Sequence, residues 1–152
     1  MRQRFPNELT AGITAMMSAN ERIPLVILES PYAGEVEANL AYARRCAFDC
    51  AMLGEATIAS HLHYTQFLDD KVPEQRTMGI RLGLAWRRVA DYSVFYTDRG
   101  WSRGMLAAAE AAQKARAKLY IRSLTNEINL PPLDALVGPE LIAQSIERTW
   151  TP

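Results

Sequence analysis

The chain has 152 residues, and its 17 Lys and Arg balance 17 Asp and Glu, leaving no formal net charge at pH 7. That balance excludes a general nucleic-acid binder, which needs clustered basic residues to neutralise phosphates, and leaves room for a small basic site for one anionic ligand. With 49% apolar and 22% charged residues the composition suits one globular domain, and no apolar run approaches the roughly 20 residues of a membrane helix.

Residues 7–19 can form a short helix with Asn7 as its cap. Two Arg open the N-terminus without a long apolar h-region, so no signal peptide is read and a cytoplasmic protein is expected. Residues 24–29 read as a fully buried strand, because the run Leu25–Leu28 is short, β-rich and followed by Pro31. From Glu35 to Leu53 the apolar positions Val36, Leu40, Ala43, Ala47 and Cys50 step by three or four, the spacing of an amphipathic helix. Gly54 follows where a helix often ends on a left-handed residue. Cys46 and Cys50 lie four apart on that helix, badly placed for a disulfide and without companions for a metal, so they read as small buried hydrophobes.

A second strand is predicted over residues 55–60 (EATIAS), followed by HLHYTQFLDD, which has no clear period. Pro73 opens a second helix, where its missing N–H costs little. A third strand over 91–96 leads into a polar, glycine-bearing loop over 97–104. An alanine-rich helix over 105–117 and a fourth strand over 118–122 come next. Residues 125–138 read as loop and 139–149 as a terminal helix. Strands alternating with helices imply βαβ units and a parallel sheet covered on both faces. Ligands in such folds bind beyond the carboxyl ends of the strands, which singles out Ser30–Gly34, Ser60–Asp70 and Thr97–Met105.

Each segment has a binding reading and a structural one. In Ser30-Pro31-Tyr32-Ala33-Gly34 the proline ends the strand and the glycine lets the chain pass close to a ligand. The helix that follows offers free N–H groups to a phosphate or sugar hydroxyl; the alternative is a bare strand-to-helix turn. In the second segment, His61 and His63 would point oppositely along a continued strand, so no joint metal site is expected. His61 could approach a ligand, with Tyr64 or Phe67 against a ring and Gln66 nearby, while Asp69 and Asp70 read as a solvated turn. In the third segment Ser102 can cap the next helix. Arg99 and Arg103 make an anion site reasonable, and a charged surface loop is the alternative. Glu110 is either a carboxylate reaching the pocket or a solvated helix residue, and Trp86-Arg87-Arg88 either a dimer surface or solvation.

Taken together, these motifs resemble the nucleoside 2-deoxyribosyltransferase-like superfamily. The likeness lies in a strand ending in Ser30-Pro31-Tyr32-x-Gly34, then Asn39 and Tyr42-Ala43-Arg44-Arg45. Ser60-His61-Leu62 with Tyr64-x-Gln66-Phe67-Leu68-Asp69-Asp70 looks like one phage and bacterial branch, as do Arg81-x-Gly83-x-Ala85 and Asp98-x-Gly100-x-Ser102-x-Gly104-Met105. The resemblance spans roughly residues 24–122 and implies a single-domain, flavodoxin-like or Rossmann-like three-layer sandwich with four or five parallel strands. Residues 1–22 and 124–152 would be helical extensions. It further implies a nucleoside or nucleotide ligand, N-glycosidase or deoxyribosyltransferase chemistry through a carboxylate, and a homodimer or larger assembly. No metal or cofactor is implied. The ligand contacts would be Ser30, Tyr32, Gly34, His61, Tyr64, Gln66, Arg99, Ser102, Arg103, Gly104 and Met105.

One departure bears on catalysis. In the enzymes the nucleophilic Glu stands about one turn after the loop glycine, a place that falls here at Ala108. Glu110 and Asp98 are the nearest carboxylates. The readings that follow are an enzyme acting through Glu110 or Asp98, a non-catalytic nucleotide sensor or sequestering protein, and a small oligomeric scaffold.

Overall fold

The computed structural model describes residues 22–124. The expected helices over 7–19 and 139–149, the loop over 125–138 and the two proposed extensions lie outside these described residues. Within them the elements run β1 (Leu25–Glu29), α1 (Val36–Met52), β2 (Ala56–Ile58), α2 (Ser60–His63), α3 (Pro73–Ala85), β3 (Tyr92–Tyr96), α4 (Arg103–Lys114) and β4 (Leu119–Arg122). This is the order read from the sequence with α2 added: Ser60, expected to end the second strand, opens that helix. Short 3₁₀ turns follow α2 and α3, at Tyr64–Gln66 and Trp86–Arg88.

All strand pairings are parallel and the order is β2-β1-β3-β4. The two inner strands are the apolar runs LVILE and YSVFY, and every residue of β3 is buried, as a strand covered on both faces requires. This order is the doubly wound, flavodoxin-like one. The chain leaves β1 in one direction to make β2, then returns past β1 to make β3, so its switch point lies between β1 and β3.

The period-two alternation of the strands divides the core between the two faces. Val26, Leu28, Tyr92, Val94, Tyr96 and Tyr120 pack with Tyr42, Cys46 and Cys50 of α1. Both cysteines are free and buried, as their spacing implied. On the other face Phe95 and Leu119 pack with Met105, Ala108, Ala109 and Ala112 of α4, and Trp101 stacks on Phe95 at 5.4 Å. The small side chains let α4 lie close to the sheet. Its N-terminus is capped as expected, Ser102 Oγ accepting from the Met105 N–H at 3.2 Å.

The segment HLHYTQFLDD lacks a period because it does not continue a strand: it folds into α2 and a 3₁₀ turn. Helix α3 then behaves unlike the other long helices. None of its residues is buried. Its glycines face the preceding connection: a Cβ on Gly83 would stand 2.9 Å from Ser60 Cβ, and one on Gly79 3.6 Å from Leu68. Helix α3 therefore leans on α2 and its 3₁₀ turn, with Trp86 Nε1 donating to Tyr64 Oη at 2.9 Å, and stands away from the sheet.

Candidate functional site

The space left between α3, the sheet and the start of α4 is a cavity of about 440 Å³, within the range of small-molecule sites. It opens beside the carboxyl end of β1, at the switch point. The loop after β1 supplies Ser30 and Tyr32, and α2 with its 3₁₀ turn supplies Ser60, His61 and Tyr64. The first turns of α4 supply Ser102, Arg103, Gly104, Met105 and Ala108. All three segments singled out from the sequence thus contribute to one wall.

Two side-chain systems hold this wall in shape. Ser30 is buried, and its Oγ lies 2.7 Å from His61 Nε2. Burial pushes the His61 imidazole down to about 4. At neutral pH it is therefore uncharged, with one ring nitrogen a donor and the other an acceptor. Buried Asn39 of α1 does the second job. Its Nδ2 donates to the carbonyls of Tyr32 and Ala33 at 3.1 and 3.0 Å, and its Oδ1 accepts from Arg99 Nε at 2.8 Å. One amide thereby ties the loop after β1 to the loop after β3. Gly34, at φ +90°, makes the turn into α1 in a conformation that side chains rarely adopt.

The cavity's polar floor is Glu29 and Arg87. Glu29 ends β1 on the face opposite α1. Its side chain is 16% exposed, and its nearest cation is Arg87 Nη2 at 3.7 Å, beyond hydrogen-bond length. Burial drives its carboxyl up to about 7, against the opposing pull of the Arg87 charge. Arg87 spans from the end of α3 to α4, where its Nη2 donates to the Ala108 carbonyl at 2.9 Å. Its Nε and Nη1 are buried without a hydrogen-bond partner among the described residues.

The structure brings together eight of the sequence-predicted residues, Ser30, Tyr32, His61, Tyr64, Ser102, Arg103, Gly104 and Met105, on the cavity lining. The others stand elsewhere. Arg99 is bound to Asn39 and, at 2.7 Å, to Glu35. Gln66 returns to the Leu62 carbonyl at 3.1 Å, and Gly34 serves the turn. Glu110 lies on the outer side of α4, its side chain 65% exposed and paired with Lys114 at 2.6 Å. Asp98 is engaged by Tyr42 Oη, Ser123 Oγ and the Leu124 N–H, on the α1 side of the sheet. Neither carboxylate lines the cavity, whereas Ala108 does. Sequence reasoning missed Glu29 and Arg87. Glu29 was legible only as a charge closing an apolar run, and Arg87 was masked by its pairing with Arg88.

Residues 24–122 match the model of a family described as a domain of unknown function, DUF7768. The chain belongs to the DUF7768 family. The matched DUF7768 span runs from the residue before β1 to the last residue of β4, so it contains the whole sheet and every wall of the cavity. No curated protein and no solved structure matches the chain. Among the described residues, no group of three or more His, Cys, Asp or Glu side chains is placed to hold a metal ion, and no helix is long and apolar enough to cross a membrane.

Proposed function

We propose that this protein binds a nucleoside or a nucleoside 5′-monophosphate in the switch-point cavity and cleaves or transfers its N-glycosidic bond. The observation that carries the reading is the meeting of three segments that follow strands around one cavity with complementary chemistry on its walls. Tyr32 and Tyr64 offer aromatic surfaces to a base. The start of α4 with Ser102, Arg103 and Gly104 offers N–H groups and a cation to a phosphate. Glu29 places a carboxyl on the floor. The resemblance to the deoxyribosyltransferase-like superfamily supports the same ligand class, and with it a homodimer or larger assembly. The apolar residues exposed along α3 fit such an assembly.

A second reading is a protein that sequesters or senses the nucleotide without cleaving it. It is favoured by Ala108, an apolar residue on the cavity wall where the resemblance places a nucleophilic Glu. Incubation with a panel of nucleosides and 5′-monophosphates, followed by chromatography and mass spectrometry, separates the two. Free base released into solution supports glycosyl chemistry. Intact nucleotide recovered only on denaturing the protein supports sequestration. Absence of both binding and turnover across the panel overturns both.

A further inference from the structure

We propose that Glu29 is the acid–base catalyst of this cavity, delivering the proton that a departing base nitrogen needs as its N-glycosidic bond breaks. The inference rests on the proposed nucleotide reading and supplies the carboxyl that Glu110 and Asp98 do not. Four acidic side chains come into question, and three are already engaged away from a ligand. Asp70, on the lining, is held by Arg76 at 2.7 Å, Asp98 by its hydroxyl and amide donors, and Glu110 by Lys114 in solvent. Glu29 alone among them lines the cavity with no hydrogen bond to its carboxyl among the described residues. It also sits on the end of a central strand, paired with Phe95 of β3, instead of on a loop, the placement that favours a positioned proton donor.

The protonation state fits the role. Burial lifts the carboxyl to about 7, so near neutral pH a substantial fraction carries the proton to be given. In the step itself the C1′–N bond breaks with its electron pair on nitrogen, which takes the Glu29 proton. A water molecule adds to C1′, and its proton returns to the Glu29 carboxylate. The products are the free base and the sugar bearing a hydroxyl at C1′, and the carboxyl is regenerated. The cavity's other ionisable groups are His61, which burial keeps neutral, the Asp70–Arg76 pair, Arg87, Arg103, Tyr32 and Tyr64. Of these, Arg87 acts on Glu29 directly, its charge favouring the ionised form.

The test measures nucleotide binding and base release separately in the full chain. Glu29→Gln is expected to bind the same ligand and to lose about a hundred-fold or more of the turnover. In the wild type, turnover should fall as pH rises through about 7, where Glu29 gives up its proton. Arg87→Met should carry that limb to higher pH, because removing the cation favours the protonated carboxyl. Glu29→Asp should keep a basic limb with reduced rate, showing that the chemistry belongs to the carboxyl and not to the fold. Turnover retained in Glu29→Gln, or lost in Glu110→Gln while Glu29→Gln stays active, overturns the assignment and leaves the nucleotide reading standing. Tight binding with no turnover in the wild type overturns it in favour of sequestration. No binding at all sinks the nucleotide reading, and this assignment with it.

Discussion

At the scale of single residues, the molecule keeps its buried charges in two different conditions. Beneath α1, Arg122 holds Glu55 through two hydrogen bonds, Nη1 to Oε2 at 2.7 Å and Nη2 to Oε1 at 2.5 Å, and Tyr92 Oη adds a third at 2.6 Å. Burial pushes the Glu55 carboxyl up, but these donors outweigh it and hold it below the usual carboxylate range. Glu29 has no such donors among the described residues, and burial wins. A carboxylate held by donors, as Glu55 is, is structural, and one without them beside a cavity is the kind that chemistry can use. Glu55→Ala strands Arg122 in the core, so unfolding in denaturant should show a loss of about 3–5 kcal/mol.

His61 makes a second prediction at this scale. Its folded-state value of about 4 lies below the 6.5 of an unperturbed imidazole, so the unfolded chain binds the proton first as pH falls. The stability tied to neutral His61 is full above about 6.5, declines as pH drops, and is gone below about 4; the linkage amounts to about 3 kcal/mol. His61→Gln, which cannot titrate, should flatten the acid side of a stability–pH curve measured between pH 4 and 7. Glu29 has the opposite sign. Its raised value makes stability fall as pH climbs from about 4.5 to about 7, and Glu29→Gln should remove that part of the slope.

At the scale of elements, α3 decides whether there is a cavity at all. A helix without a single buried residue cannot be held by its own apolar face. It is held at its contacts: Gly83 against Ser60, Trp86 on Tyr64, Gln75 Oε1 on the Asp69 N–H at 2.7 Å, and Arg87 on α4. Gly83→Ala puts a methyl 2.9 Å from Ser60 Cβ, a contact that neither backbone can relieve by turning a side chain. The expected outcome is a loss of about 1–3 kcal/mol in thermal or denaturant unfolding, with weaker ligand binding because α3 must shift. The same element was half legible in the sequence. Pro73 marked its start, but its apolar residues fall on every side and do not say which face meets the sheet.

At the scale of the whole molecule, α3 carries four exposed large apolar side chains among the described residues, Met78, Ile80, Leu82 and Leu84. Met78 is 54% exposed and Leu82 40%, one turn apart and outside the cavity lining. In the proposed homo-oligomer this face meets a second copy. Sedimentation should therefore give at least a dimer, and Met78→Lys with Leu82→Asp should shift the mass toward the monomer. A monomeric wild type would remove the assembly from the reading.

Much of the fold was readable because it rests on local patterns. Residues 24–29 read as a buried strand and 91–96 as a strand, the three-and-four spacing from Val36 to Cys50 reads as one face of a helix, and their alternation implies a parallel sheet; which strands lie inside came from the tertiary structure. From that alone followed the three strand-end segments that now line one cavity. What tertiary structure decided was the environment of each polar group, because burial and partners come from residues distant in sequence. Asp98 reads from the sequence as a candidate catalytic carboxylate near the loop, and the tertiary structure sets Tyr42, 56 residues away, on it. Arg99 looked like an anion binder until Asn39 and Glu35 met it across the loops. Glu29 was one more charge at a strand end, and its desolvation beside Arg87 exists only because α3 and α4 close over it.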